Sequence, residues 1–230
     1  MNHVSNRDIV PNWTILCDFD GTISTEDVID GLLSRHGLPG WQALEDDWIA
    51  GRIGSRECMQ GQVGLLDLGR DELDAHLDAL AIDPDFPTFV EAVRSRGYVI
   101  SVVSDGLDYA IQRILRRHGL GDLPVAANRL SERDVPRRWR LESPFGTGAC
   151  ASGTCKCERI GAARQVDAGP VLLVGDGRSD FCASGAADLV FAKGRLARHC
   201  HDQRLRHRPI DGFGDALALL PDLDSLLAAA

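Results

Sequence analysis

The chain has 230 residues, 44% of them hydrophobic and 26% charged, with a formal net charge of -9, and a chain of this length buries roughly 70% of its unfolded surface without needing staples. The negative balance excludes nucleic acid as a partner, because its phosphates would be repelled. The longest apolar runs, such as Val171 to Val174, are far too short to span a membrane, and Met1 to Asn12 lacks the apolar centre of a secretory signal, so a cytoplasmic location is expected.

The first predicted element is a buried strand that starts at Trp13 and runs into Asp18, Asp20, Gly21 and Thr22. Strand side chains alternate, so Asp18 and Asp20 leave its carboxyl end on one side, where an α/β sheet places its ligands. Two readings fit D-x-D-G-T. It is a strand followed by an ordinary turn, or it is a pair of crowded carboxylates whose repulsion is relieved by a divalent cation such as Mg²⁺.

Helical spacing follows. Val28, Ile29, Leu32 and Leu33 form one stripe, and Trp41, Leu44 and Trp48 form a second. Ser55 to Leu66 is a third helix, and Leu73, Leu77 and Leu80 mark a fourth. Glycine-containing stretches punctuate them, so residues 24–85 read as a four-helix cap inserted after the first strand, with the tryptophans expected in its core. This segment holds 14 acidic and 4 basic residues, a balance of -10, so nearly all the net charge lies here.

Residues 1–23 and 86–230 are then the core. Asp85 to Gly97 is a helix, Tyr98 to Val103 a buried strand ending in Ser104, Asp105 and Gly106, and Leu107 to His118 a helix. Val125 to Ala127 is a short strand, Arg129 to Cys150 is irregular or hairpin-like, and Lys156 to Asp167 is helical. Val171 to Val174 is a third buried strand, ending in G-D-G-R-S-D, and Leu189 to Ala192 a fourth. A basic stretch from Lys193 to Arg208 reads as a solvated face, and Asp215 to Leu226 as a closing helix broken at Pro221. Strands alternating with helices predict an α/β fold with a Rossmann-like, doubly wound parallel sheet.

Each buried strand ends in polar residues: Asp18 and Asp20, then Ser104, then Asp176 with Asp180. A phosphoryl group in transfer carries negative charge on its oxygens, so it wants cations and hydrogen-bond donors, which Ser104 and the backbone N–H groups around Gly106 offer. The order of these parts resembles the haloacid dehalogenase superfamily of phosphatases over nearly the whole chain. D-x-D-G-T stands at Asp18 to Thr22, an apolar strand ends at Ser104, and G-D-x-x-x-D spans Gly175 to Asp180. The remaining motif is a lysine. Lys193 lies after the last motif, which leaves Lys156.

The resemblance implies that Asp18 is a nucleophile, that Asp20 exchanges protons with the leaving oxygen and with water, and that Ser104 and Lys156 bind the phosphoryl oxygens. It also implies a Mg²⁺ held by Asp18, Asp20 through its backbone carbonyl, and Asp176, with Asp180 behind them. The helical insert resembles that of the phosphoserine phosphatase subgroup. The glutamate with which that subgroup binds its substrate falls at Asp27, and its cap arginine at about Gln60. Arg56, one turn earlier, is the candidate substitute. The chain more closely resembles the 2-hydroxy-3-keto-5-methylthiopentenyl-1-phosphate phosphatases, with Asp27, S-D-G-L-D at Ser104 to Asp108, and C-K at Cys155 and Lys156. It departs from them in carrying Asp105 where a glycine is usual near the phosphate, and in a thinner cysteine pattern.

The expected partner is therefore a small phosphate ester. An amine-bearing ester, such as an amino-sugar or amino-alcohol phosphate, is the alternative if acids line the cap. A silent phosphate-binding protein is the rival class. Cys150, Cys155 and Cys157 admit two readings: reduced thiols supporting a loop, or three zinc ligands completed by His199, Cys200 or His201. The spacing is not the C-x-x-C of a ribbon or finger, which favours the thiols.

Overall fold

A computed structural model of the chain describes residues 12–228. Seven strands lie in the order β4-β3-β2-β1-β5-β6-β7. They are β1 (Thr14–Cys17), β2 (Val99–Leu107), β3 (Val125–Glu132), β4 (Trp139–Glu142), β5 (Val171–Gly175), β6 (Leu189–Ala192) and β7 (His207–Pro209). All neighbours are parallel except β3 and β4. The first strand sits at the centre, with Thr14 level with Val99 on one side and Val171 on the other. The chain runs outward to one edge and then returns across β1 to build the other half, so the reversal of direction falls between β1 and β5, where α/β sheets open a crevice.

The alternation of strand side chains builds two cores. Ile15, Cys17, Leu172, Val174, Leu189 and Phe191 join the larger cluster on one face. Their neighbours Leu16, Val171, Leu173, Val190 and Ala192 join the smaller one on the other. A sheet buried on both faces needs helices on both, which is why these strands read as continuous apolar runs. One side takes α5 (Phe86–Ser95) and α6 (Asp108–Arg117), whose Phe89, Val93, Ile111 and Ile114 join the larger cluster. The other takes α7 (Lys156–Val166), α8 (Phe181–Ser184) and α9 (Gly194–Asp202) through Ile160, Ala183 and Leu196. The chain closes with α10 (Phe213–Leu219) and α11 (Leu223–Ala228), separated by a 3₁₀ turn that contains Pro221.

Between β1 and α5 lie four helices, α1 (Val28–His36), α2 (Trp41–Ile49), α3 (Ser55–Gly64) and α4 (Arg70–Ala79). Asp27 caps α1 by accepting a hydrogen bond from the Asp30 N–H at 3.1 Å. Four of this segment's 14 acids pair with two arginines that come later in the chain. Arg137 meets Asp67 and Glu72 at 2.7 and 2.6 Å, and Arg113 meets Asp74 and Asp78 at 3.0 and 2.7 Å.

Two expectations gain detail and one needs correction. The stretch from Arg129 to Cys150 opens as the hairpin that is one of its two readings: β3 runs on to Glu132 and pairs antiparallel with β4, whose Trp139 and Leu141 are buried while Arg140 and Glu142 face water. The basic stretch after Lys193 is α9 followed by β7, a three-residue edge strand ending in proline, and Arg195, Arg198, Arg204 and Arg206 are exposed, in keeping with a solvated face. Trp41 packs against the larger core as expected, but Trp48 is half-buried in the wall of a cleft.

Candidate active site

At the carboxyl ends of β1, β2 and β5 a cleft of about 410 Å³ opens between the sheet and the four-helix segment. Asp18 stands at its floor, 4% exposed. It leaves β1 with its own N–H donating to the Val174 carbonyl at 2.9 Å, and its carboxylate accepts from the Phe19 N–H at 2.7 Å. The turn behind it is held by Thr22, Ile23 and Ser24, whose N–H groups all donate to the Phe19 carbonyl. That turn needs Gly21 in the left-handed region (φ 73°), and a Cβ there would lie 2.7 Å from Asp176 Oδ2. The Asp20 carboxylate accepts from the Val28 N–H at the start of α1, at 3.0 Å, and from the Ser104 hydroxyl at 3.4 Å.

Lys156, the first residue of α7, is fully buried. Its ammonium lies 2.9 Å from Asp18 Oδ2 and 2.5 Å from Asp180 Oδ1, and it donates to Ser179 Oγ at 3.0 Å. The other Asp180 oxygen accepts from the Asp176 and Gly177 N–H groups, both at 3.2 Å. Asp18, Asp176 and Asp180 each bring a carboxylate oxygen within 4.8 Å of the others. With Asp20 beside them, four carboxylates share one ammonium. Burial, then Asp180 and Asp176, push Asp18 well above its usual pKa despite the opposing pull of Lys156. Burial also raises Asp176 and lifts Asp20 to about 6. Burial alone would lower Lys156, but Asp18 and Asp180 hold it above its ordinary value. Such crowding is relieved by a hard divalent cation, and an all-oxygen set fits Mg²⁺.

The structure brings Asp18, Asp20, Ser104, Lys156, Asp176 and Asp180 together, with Asp27, Asp105 and Gly106 along the same cleft. It does not bring Arg56. That guanidinium turns away and donates to the carbonyls of Thr147, Cys150 and Ser152 at 2.8, 2.9 and 2.8 Å, so it is spent on a loop of the sheet domain and cannot meet a substrate. The Gly106 N–H, expected to offer itself to a phosphoryl oxygen, instead donates to Ser104 Oγ at 3.0 Å. Asp105 accepts from Ser55 Oγ at 2.5 Å and from the Thr154 N–H at 2.6 Å, tying α3 and the loop before Lys156 to β2.

Residues to which the sequence assigned no role complete the frame. Thr22 donates to Asp176 Oδ1 at 3.0 Å, and Lys193, set aside because it follows the last motif, donates to the Gly21 carbonyl at 3.1 Å. Ser55 carries no local signal, since its partner is 50 positions away. Gly106 is small for a reason: a Cβ there would sit 2.3 Å from Asp20 Oδ2 and 3.1 Å from Ser104 Oγ. Gly106→Ala is therefore expected to displace Asp20 and lower turnover about 10²-fold with the fold retained, measured by kcat alongside circular dichroism.

The helical wall of the cleft combines apolar Ile29, Trp48, Ile49 and Met59 with Asp27, Asp30, Glu45 and Gln62, and holds no basic side chain. The cations in the cleft lining, Arg178 and Arg195, come from the sheet side. Arg178 reaches across to donate to the Ile49 carbonyl at 2.8 Å, its guanidinium 5.7 Å from the Trp48 ring centre.

Comparison with known proteins agrees with this geometry. A family model described as haloacid dehalogenase-like hydrolase matches residues 15–184. The chain is 28% identical over 213 residues to 2-hydroxy-3-keto-5-methylthiopentenyl-1-phosphate phosphatase of Exiguobacterium sp., covering 90% of this chain and 96% of that one. It is equally similar to the enzyme of that name from Brevibacillus brevis, covering 90% and 94%. Among solved structures, a phosphoserine phosphatase determined as its phospho-aspartyl intermediate analogue superposes with a TM-score of 0.71 at 21% identity, covering 90% of this chain and 98% of that one. Among the described residues no helix is long and apolar enough to cross a membrane. The family match over most of the chain, on a fold that sets Asp18 and Asp176 in one cleft with Lys156 buried against Asp18, shows that the protein belongs to the haloacid dehalogenase-like hydrolases.

Proposed function

We propose that this chain, a phosphomonoester hydrolase by its family and its phosphatase relatives, acts through an aspartyl-phosphate on a small metabolite, with 2-hydroxy-3-keto-5-methylthiopentenyl-1-phosphate the leading candidate. The observation that carries the proposal is the buried Lys156 ammonium held between Asp18 and Asp180, with Asp176 alongside. An Asp18 oxygen attacks phosphorus, the ester P–O bond breaks, and the leaving oxygen takes a proton from Asp20. Water then attacks the phosphorus of the acyl phosphate, returns a proton to Asp20 and frees inorganic phosphate and Asp18. A carboxyl at about 6 suits both duties, because near neutral pH it is mostly ionised yet keeps a protonated fraction of roughly a tenth. Lys156 and Ser104 bind the equatorial oxygens. Asp18, Asp176 and the Asp20 carbonyl would hold Mg²⁺, with Asp180 behind them, and the ion would supply positive charge against those oxygens.

We assign residues 24–85 as a cap over this site. Its apolar patch of Ile29, Trp48, Ile49 and Met59 suits a methylthio tail, while Gln62 and the acids beside it suit hydroxyl and keto groups. The absence of a basic side chain from the helical wall argues against phosphoserine, whose carboxylate would find no partner there. An amine-bearing ester is the second reading, favoured by Asp27, Asp30 and Glu45 in the same wall. Hydrolysis of p-nitrophenyl phosphate, abolished by EDTA and restored by Mg²⁺, tests the reaction, and a folded chain with no turnover would leave the silent binder. Comparing kcat/KM for the methylthiopentenyl phosphate, phosphoserine and amino-sugar phosphates then separates the substrates.

The raised Asp20 pKa also has a consequence for stability. A carboxyl whose value rises from 3.8 to about 6 on folding stabilises the fold fully when protonated, and that contribution is lost as pH rises through 6. Without metal at pH 7.5, Asp20→Asn should therefore be more stable than the parent by on the order of 3 kcal/mol. The gap should close as pH falls from 6 towards 4. Urea unfolding in EDTA at several pH values measures it, and a gap that stays constant would remove the assignment.

A further inference from the structure

Gly54, Ser55 and Arg56, at the start of α3, all meet the junction that leads into Lys156. Gly54 passes so close to Ala151 that a Cβ on it would lie 2.6 Å from both the Ala151 carbonyl oxygen and the Ala151 Cβ. Ser55 donates to Asp105 Oδ2 at 2.5 Å, and the other oxygen, Oδ1, accepts at 2.6 Å from the N–H of Thr154, which precedes Lys156 by one residue, Cys155. Arg56 donates its backbone N–H to the Ala151 carbonyl at 3.1 Å and its guanidinium to the carbonyls of Thr147, Cys150 and Ser152. The main chain of Asp105 is held as well. Its carbonyl accepts from the Asn128 side-chain amide of β3, and Gly153 packs directly on that amide. Asp105, 9% exposed, is therefore the point where β2, β3, α3 and the loop before α7 come together.

We propose, on the reading of this cleft as a phosphatase site, that Asp105 is a positioning residue: it carries the placement of α3 into the loop before α7 and so fixes the Lys156 ammonium against Asp18. Asp105 lines the cleft, yet both of its carboxylate oxygens are engaged by donors of the protein, which makes it a brace and not a ligand of the substrate. An acid is an expensive residue to put here. Asp18, Asp20 and Asp176 line the same cleft and a phosphate ester is anionic, so a further carboxylate adds repulsion that an uncharged tie would avoid. What the carboxylate offers in return is two charge-assisted acceptors on one rigid fork, each roughly twice as strong as a neutral hydrogen bond. One prong reaches the helical segment and the other the stretch that runs into Lys156.

The first turn of α7 needs such support. Cys155 caps the helix without a side-chain hydrogen bond, and of its 11 residues only Lys156 and Ile160 are buried. The position of the ammonium is therefore set from upstream, by the Thr154 N–H on Asp105 and the Cys155 N–H on the Phe145 carbonyl at 3.0 Å. It has to stand 2.9 Å from Asp18 and 2.5 Å from Asp180 at once, and a displacement of about 1 Å at a reacting centre costs on the order of 10²-fold in rate. The neighbours of Asp105 in β2 gain from the same brace. The Ser104 hydroxyl donates to Asp20, and the Gly106 N–H donates to Ser104, so a shift of the residue between them would disturb both contacts.

Kinetics with p-nitrophenyl phosphate and Mg²⁺ test the assignment. Asp105→Ala and Asp105→Gly should each lower kcat about 10²-fold while KM stays within about twofold of the parent. Asp105→Asn should stay within about fivefold in kcat, because the amide keeps an acceptor for the Thr154 N–H and gives its own N–H to the Ser55 hydroxyl. Ser55→Ala should lower kcat roughly fivefold and add nothing to Asp105→Ala, as expected of two residues acting through one contact. Amide exchange supplies a reading that does not depend on turnover: Asp105→Ala should speed exchange at residues 154–160 and leave β1 and β5 as they are. A raised KM with kcat intact would make Asp105 a substrate ligand, an equal fall for alanine and asparagine would make its charge the operative property, and unchanged kinetics in a folded Asp105→Ala would make the contact a tie alone; each overturns the proposal. If circular dichroism shows that Asp105→Ala does not fold, Ser55→Ala is read in its place, and an unchanged kcat there overturns it. A parent without turnover would sink the phosphatase reading instead, and exchange unaltered in Asp105→Ala would then overturn the positioning role by itself.

Discussion

Asp18→Asn is expected to abolish hydrolysis of p-nitrophenyl phosphate, by a factor on the order of 10⁵ or more, the scale seen when a nucleophile is removed from an otherwise intact site. The amide has the same shape, so the hydrogen bond from the Phe19 N–H and the packing around β1 survive. It lacks the negative charge that makes a carboxylate oxygen attack phosphorus. Lys156 keeps Asp180 as a partner at 2.5 Å, so the variant should fold and still bind phosphate. The readings are single-turnover kinetics and acid-quench trapping of phosphoprotein, which the parent should form and the variant should not. A variant that still accumulates phosphoprotein would move the nucleophile elsewhere and undo the mechanism.

Lys156→Ala should have the larger effect on stability. Removing this ammonium leaves Asp18 and Asp180, 4% and 0% exposed, facing each other without a cation, and breaking a buried pair from one side costs about 3–5 kcal/mol. Turnover should fall about 10³-fold with it, because the transferring oxygens lose a fixed positive charge. Acid should partly restore stability, since a protonated Asp18 no longer repels its neighbours. Urea unfolding at pH 5 and 7.5 with kcat at neutral pH checks both. Unchanged stability would mean that Lys156 is not buried between the two acids in solution.

The centre of the fold was legible in the sequence because it is local. The run from Trp13 into Asp18 and Asp20 announces a central strand and its tip, and Ser104 and Asp176 announce two more. Lys156 was recovered by motif order rather than by any pattern around it. What escaped depends on contacts between distant positions. Arg56 looked like a residue of the cleft from its helical spacing, yet three carbonyls some 90 positions away claim it. Cys182 stands 25 positions from Cys157, so nothing local announced the contact between their sulfurs. The excess acid at residues 24–85 read as a question about substrate, whereas several of those acids meet Arg113 and Arg137.

The clamp made by Arg56 bears on how a metabolite reaches Asp18. Because α3 is fastened at its first turn by Arg56 and by Ser55 on Asp105, that edge of the four-helix segment should hold still if the segment moves. The end of α2 is the edge that would move, and there Arg178 reaches across to the Ile49 carbonyl. Amide exchange should accordingly be faster at residues 50–53 than at Arg56 and Thr154, and Arg178→Ala should speed the former alone. Traffic in and out would then pass beneath Trp48, which makes that indole the doorpost that an incoming ester brushes first.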